Sequence, residues 1–146
     1  MTGNLVVIGE NPHRESVAHR PSLSLTGSSG RNLASIAGWD WMCYLRHVDR
    51  TNLFFDPQPR WDAGAARMRA AQLELGLAGR SVILCGQKVA AAFGVADEPL
   101  FRWLPTASDV MNIAKIPHPS GSCRLWNLPE VRAEARAFLG GLVHCE

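Results

Sequence analysis

The sequence lacks the features that mark several large classes of protein. No apolar run approaches the length of a membrane span, and the first residues lack the basic-then-apolar pattern of a secretory signal. The four cysteines are Cys43, Cys85, Cys123 and Cys145. None of them belongs to a C-x-x-C pair, which argues against a zinc or iron–sulfur site. We therefore expect a cytoplasmic protein with no metal, no other cofactor and no membrane partner.

The chain also has little net charge and few lysines. Its 146 residues carry a formal net charge of +2, so the total charge predicts no strong field for nucleic acid. All basic residues except Lys88 and Lys115 are arginines. Arginine suits bidentate phosphate contacts, although genome composition explains the bias equally well. The apolar fraction of 47% is ordinary for a globular protein, and the length suits one domain over residues 1–146.

What is present is an alternation of strands and helices. A continuous apolar, β-branched run predicts a buried strand over 5–8, and further strands are predicted over 48–55, 81–86 and 110–116. Helices are predicted from Ser29 or Gly30 to Gly38, from an Asp62 N-cap to about Leu77, over 87–93, and from about Asn127 to Leu142. Residues 10–30 form a long loop in this interpretation. The alternation predicts an α/β fold, a three-layer domain around a central four-stranded parallel sheet.

Polar, turn-forming residues follow three of the predicted strands. They are Gly9-Glu10-Asn11-Pro12 after the first, Gly86-Gln87 after the third and His118-Pro119-Ser120 after the fourth, while Thr51-Asn52 lies within the second. Ligands of open α/β sheets bind outside the carboxyl ends of the strands. The pattern therefore predicts a polar site along one rim of the sheet, without identifying its ligand.

These segments, in the same order, resemble the motifs of a known family. Gly9-Glu10-Asn11-Pro12 is similar to a G-x-D/N-P turn, Thr51-Asn52-Leu53 to a T-N-x segment, and His118-Pro119-Ser120-Gly121 to an H/N-P-S motif of the uracil-DNA glycosylase superfamily. The segment Val82–Gly86 with Lys88 and Ala90 resembles its third-strand pattern, and Gly30-Arg31-Asn32-Leu33 its G-R-x-L helix start. The resemblance spans about Leu5 to Phe138. It implies a uracil-DNA glycosylase-like fold in a minimal, phage-like version close to the mismatch-specific members.

The resemblance also implies roles for individual residues. Asn11 matches the position that orients the attacking water, and His118 matches the donor to the pyrimidine O2 as the base departs. Asn52 matches the side chain that reads the edge of a flipped base. The implied substrate-binding positions are Gly9, Glu10, Pro12, His13, Asn52 and Ser120, and the implied DNA-binding positions are Gly121, Ser122 and Arg124. An amide holds water only through its oxygen, so we expect slower chemistry than in family members with Asp at position 11.

The sequence departs from the family around the base. The family stacks an aromatic ring on the base, but none lies between Asn11 and Trp39. The candidates for this role are Leu23, Leu25, Trp39 and Trp41, with core packing as the alternative for both tryptophans. His13 occupies the place of a ring that excludes the thymine methyl group, so we do not expect strict uracil specificity. Arg124 resembles an arginine wedge, and its alternatives are a phosphate contact or a plain surface charge.

Each matched residue also has an ordinary structural explanation. Asn11 favours a turn after a strand, His118 suits a loop, and Asn52 can be a buried amide bonded to neighbouring backbone. Taken together, the matches imply a monomeric, monofunctional DNA glycosylase that hydrolyses the N-glycosidic bond of a flipped uracil-like or modified pyrimidine in DNA. Two alternatives stay open. One is an enzyme of this fold that processes or installs a modified pyrimidine in viral DNA; the other is a non-catalytic module that binds a base or a partner protein.

Overall fold

The structure is a computed structural model that describes residues 4–10, 27–56, 60–105 and 107–144. In these ranges the strands are β1 Leu5–Gly9, β2 Asp49–Asn52, β3 Ser81–Cys85 and β4 Asn112–Ile116. The α-helices are α1 Ser28–Ala37, α2 Trp41–His47, α3 Ala63–Glu74, α4 Gln87–Ala92 and α5 Pro129–Leu139. The four strands form an all-parallel sheet in the order β2-β1-β3-β4. The α/β class and the four-stranded parallel sheet predicted from the sequence are confirmed.

Helices cover both faces of this sheet. Val7, Ile83 and Ile116 belong to one core that includes residues of α1 and α5. Ile8 and Leu84 belong to a second core with residues of α4, and α3 packs against α4 on that side. Burial on both faces explains why the central strands read as continuous apolar runs rather than as alternating patterns. No helix within the described residues is long and apolar enough to cross a membrane.

Local chemistry accounts for the helix boundaries that the sequence predicted well. Gly38 ends α1 with φ of 75°, a left-handed conformation that favours glycine. The Asp62 side chain accepts a hydrogen bond from the Ala65 N–H at 3.0 Å and caps α3. The final helix places Ala135 in the core, as its spacing predicted, and continues as a 3₁₀ turn over Gly140–Leu142. Most of the predicted loop over 10–30 lies outside the described residues.

Other predicted boundaries were wrong. The second strand ends at Asn52 instead of 55, and α3 ends at Glu74 instead of Leu77. By contrast, α5 starts at Pro129, within the predicted start over 127–130, after a 3₁₀ turn over Arg124–Asn127. The fourth strand begins at Asn112 instead of 110. There, the Ser108 hydroxyl accepts hydrogen bonds from the N–H groups of Val110 and Met111, at 3.2 and 3.4 Å, which keeps both out of the ladder.

Helix α2 has no counterpart in the sequence prediction. Its N-terminus is capped by Asp40, whose carboxylate accepts a hydrogen bond from the Cys43 N–H at 3.1 Å. Asp40 is thus a capping signal of the kind used for Asp62. The helix is only seven residues long, which gave little room for an apolar period to show.

The strand order creates a topological switch between β1 and β3. The chain passes from β1 to its neighbour β2 on one side, and from β3 to its neighbour β4 on the other. Connections that diverge in this way leave a crevice at the carboxyl ends of the two central strands. The residues at that edge are Gly9 and Glu10 after β1, and Gly86 and Gln87 after β3.

Candidate functional site

The carboxyl ends of three strands bring Glu10, Gly86 and His118 together. Since β3 lies between β1 and β4, the side chains of Glu10 and His118 meet across the end of β3. A Cβ at Gly86 would lie 3.2 Å from Cβ and Cδ2 of His118 and 3.4 Å from Oε2 of Glu10. The backbone at position 86 also has φ of 96°, a conformation that residues other than glycine rarely adopt. A glycine therefore makes room for the pair, in which Nε2 of His118 lies 3.5 Å from Oε2 of Glu10.

The imidazole of His118 is oriented by its own loop. The Ser120 N–H donates to Nδ1 at 3.2 Å, and the Trp126 indole N–H donates to the His118 carbonyl at 2.8 Å. Because Nδ1 accepts a hydrogen bond, the proton of the neutral ring resides on Nε2. The side chain is 29% exposed to solvent, so a ligand can reach the ring. His118 thus presents one N–H donor at the edge of the sheet.

Burial favours the neutral form of His118. Burial lowers the pKa of His118 from its ordinary value of 6.5; the Glu10 carboxylate opposes this change, and the nearby Lys88 adds to it. Lys88 Nζ lies 3.9 Å from Oε1 of Glu10, so the carboxylate has a cationic neighbour other than the imidazole. The ring is therefore an uncharged donor near neutral pH. Sequence reasoning included Lys88 in the family pattern without assigning it a role.

Two aromatic rings flank the Glu10–Lys88 pair. Lys88 Nζ lies 5.5 Å from the ring centroid of Trp61, and Phe54 meets Trp61 edge-on at 5.3 Å. The Phe54 N–H donates to the Glu10 carbonyl at 3.0 Å, which fixes this segment beside the end of β1. Sequence reasoning missed both rings. The available signal was that Phe54 follows Asn52 by two residues on the predicted second strand.

Trp39 and Trp41 pack elsewhere. The Trp39 indole donates to the Leu139 carbonyl at 3.0 Å, and its ring stacks on Tyr44 at 5.9 Å. Trp41 stacks on the same tyrosine at 5.3 Å and lies 4.4 Å beneath the guanidinium of Arg31. These contacts support the core-packing alternative for both tryptophans. The other candidates for stacking, Leu23 and Leu25, lie outside the described residues.

Asn52 lies at the same edge, beside the end of β1. It is in register with Gly9, so both positions belong to the sheet face that packs on α1 and α5. Asn52 is 5% exposed, and the hydrogen bond that it receives from the Thr51 hydroxyl goes to its main-chain carbonyl. No hydrogen bond joins its side-chain amide to a described residue. Among the described residues, no backbone group therefore bonds the Asn52 side chain, as the structural explanation of this residue would require.

The loop after β4 carries the remaining predicted residues. Ser120 is half-buried, and its hydroxyl lies 3.1 Å from the hydroxyl of Ser122. Gly121, Ser122 and Arg124 are exposed, and Arg124 begins the 3₁₀ turn. The predicted site residues Asn11, Pro12 and His13 lie outside the described residues.

The site combines a neutral imidazole donor, a carboxylate beside an ammonium group, and a buried amide. Such a set can donate a hydrogen bond to an oxygen that gains negative charge and can pair with a polar ring edge.

Cys85, beneath Glu10, is fully buried, and burial raises the pKa of its thiol, so it is a packing residue. Among the described residues, no three His, Cys, Asp or Glu side chains group closely enough to hold a metal ion. Neither a scan of protein-family models nor a search of curated proteins finds a match to this chain.

Proposed function

We propose that the protein is a monofunctional DNA glycosylase that hydrolyses the N-glycosidic bond of a flipped uracil-like or modified pyrimidine. The observation that carries the proposal is the neutral His118, held with its Nε2 proton at the switch-point edge. When the C1′–N1 bond breaks, its electron pair moves onto the base, and negative charge develops on O2. A fixed N–H donor aimed at that oxygen stabilises the charge, an effect typically worth about a hundredfold or more in rate.

Glu10 has a positioning role in this proposal. In the free protein its carboxylate lies 3.5 Å from Nε2 of His118, at the long limit for a hydrogen bond. The base O2 therefore displaces only a weak interaction when it takes up the Nε2 proton. Lys88 Nζ lies 3.9 Å from the other carboxylate oxygen, so it still balances the negative charge of Glu10 after the base O2 has replaced Glu10 at Nε2 of His118.

Asn52 is the proposed reader of the base. Its side-chain amide makes no hydrogen bond to a described residue, so its oxygen and NH2 group are available to the edge of a bound base. The amide offers one acceptor for N3–H and one donor for O4 of a uracil-like ring. Its burial at 5% exposure favours a flipped base, since an edge within a stacked duplex cannot reach it.

The proposed role of Asn11 rests on the resemblance alone. In the family pattern this position holds the water that attacks C1′ after the base departs. The Asn11 amide oxygen can accept a hydrogen bond from that water and so fix its position. The water supplies the hydroxyl group at C1′, and its second proton neutralises the released base.

An abasic-site assay tests the proposal. Oligonucleotides containing uracil, mispaired thymine or hydroxymethyluracil are incubated with the wild type and with His118→Ala, Asn11→Ala and His144→Ala proteins. His144 is exposed and serves as the matched histidine control. We expect base release by the wild type and the control, and a loss of about a hundredfold or more in the other two variants.

The other outcomes separate the alternatives. Binding to the modified base without release identifies a non-catalytic module, and a base of altered mass retained in the strand identifies a modifying enzyme. Near-normal release by both the His118→Ala and Asn11→Ala proteins would overturn the assignment of the site.

A further inference from the structure

A polar cleft lies on the α1–α5 side of the loop that follows β4. Its volume is about 150 Å³. It is enclosed by Asn32 and Ser35 of α1, Ser120 of the loop, Asn127 of the 3₁₀ turn and Arg132 of α5. Ser120 also donates its N–H to His118, so the cleft and the candidate site share one loop.

The lining of the cleft favours an anion. Its charged side chain is Arg132, and no carboxylate is among the residues that line it. The Arg132 guanidinium donates to the Trp126 carbonyl at 3.3 Å, and no ion pair joins it to a carboxylate of the described residues. Amide and hydroxyl groups of four further side chains, Asn32, Ser35, Ser120 and Asn127, line the same cleft, and each of them can donate to an anionic oxygen.

The volume narrows the class of anion. At about 150 Å³ the cleft has room for a phosphate group and is smaller than the roughly 300–1,000 Å³ usual for small-molecule pockets. A guanidinium is also the side chain best suited to bidentate contact with phosphate oxygens.

We infer that this cleft binds a phosphate group, namely a backbone phosphodiester next to the flipped nucleotide. The phosphate chemistry follows from the lining, whereas its identification with a DNA strand rests on the proposed function. Trp126 also lines the cleft and donates its indole N–H to the His118 carbonyl, so a phosphate bound there steadies the loop that carries His118. Arg132, Ser35 and Asn32 thus extend the DNA contact surface beyond the loop residues predicted from the sequence.

The first arm of the test uses inorganic phosphate alone. The indole N–H resonance of Trp126 is followed by NMR during a phosphate titration of the wild type, Arg132→Gln and Arg67→Gln. Arg67 is exposed on α3, on the opposite face of the sheet, and its variant makes the same change in charge. We expect a saturable shift in the wild type and the Arg67→Gln control, and binding at least about tenfold weaker in Arg132→Gln.

The second arm uses DNA. The affinity for a single-stranded oligonucleotide is measured across a salt series. Arg132→Gln should reduce the salt slope by about 0.7, the contribution of one phosphate contact on a single strand, while Arg67→Gln leaves the slope unchanged. Ser35→Ala removes a neutral donor, so it should weaken binding without changing the slope.

The arms separate the possible sources of the phosphate and the two proposals. A phosphate shift with an unchanged DNA slope supports a site for free phosphate and excludes the backbone as its ligand. The inference is overturned if phosphate causes no shift of the Trp126 resonance and Arg132→Gln leaves the salt slope unchanged. Base release is scored independently: no release from any substrate, together with a reduced slope, overturns the glycosylase proposal and supports the cleft.

Discussion

Replacing Gly86 with alanine tests whether the meeting of Glu10 and His118 across the end of β3 has a function. Gly86 has φ of 96° and ψ of 160°, a region that only glycine adopts easily. An added methyl group would also lie 3.2 Å from two atoms of His118, so the imidazole has to move by a few tenths of an ångström. The substitution therefore strains the backbone and displaces the ring at the same time.

The two effects have different magnitudes. Backbone strain of this kind costs about 1–3 kcal/mol, which corresponds to a fall in Tm of roughly 2–12 °C for a chain of this size. Displacement of Nε2 is a catalytic effect, because an error of about 1 Å in the placement of a reacting group can cost about a hundredfold in rate. For a shift of a few tenths of an ångström, the same proportion gives a loss of base release of roughly three- to tenfold.

Gly94→Ala is the matched control. Gly94 has φ of 78°, and nothing lies within 4 Å of an added Cβ. It should lose about 1–2 kcal/mol of stability without affecting the site. Thermal melts and single-turnover base release are measured for both variants at a temperature where both are folded. Equal release rates for the two alanine variants would refute the reasoning, because displacement of His118 would then have no catalytic consequence.

Three further predictions address individual side chains. Because burial lowers the pKa of His118, the unfolded chain binds more protons below about pH 6.5, so stability should fall as the pH drops from there toward the folded pKa. Urea denaturation at about pH 7.5 and about pH 5.5 should show a smaller fall for His118→Gln, and an equal fall in both proteins contradicts this origin. Asn52→Asp replaces a donor with an acceptor, so it should abolish release of uracil-like bases with at most a weak gain on cytosine; an unchanged substrate range in the release assay means a structural amide. Arg124→Ala should impair cleavage of duplex DNA more than of single-stranded DNA, because only the duplex needs a wedge. Equal losses with a shallower salt dependence would indicate a phosphate contact, and no effect on either substrate would indicate a surface charge.

Much of the fold could be predicted because its signals are local. The strands around Val7 and Ile83 are buried on both faces, so they read as continuous apolar runs. Gly38 and Asp62 mark helix ends through their own backbone conformation and side-chain hydrogen bond. Errors arose where tertiary contacts or short-range side-chain bonds set the boundary, as at Ser108 before β4 and in the short helix α2.

The sequence by itself determined that polar residues follow the strands, and parallel strands place those residues along one rim. Only the tertiary structure decided which of them meet. The order β2-β1-β3-β4 puts the end of β3 between Glu10 and His118, which lie more than a hundred residues apart. The local pattern of apolar residues indicates which face of a strand is buried, but it carries no information about strand order. The contact between Glu10 and His118 beside Gly86, and the contact between Trp61 and Lys88, therefore could not be predicted from the sequence. Those contacts depend on which strands and helices pack side by side.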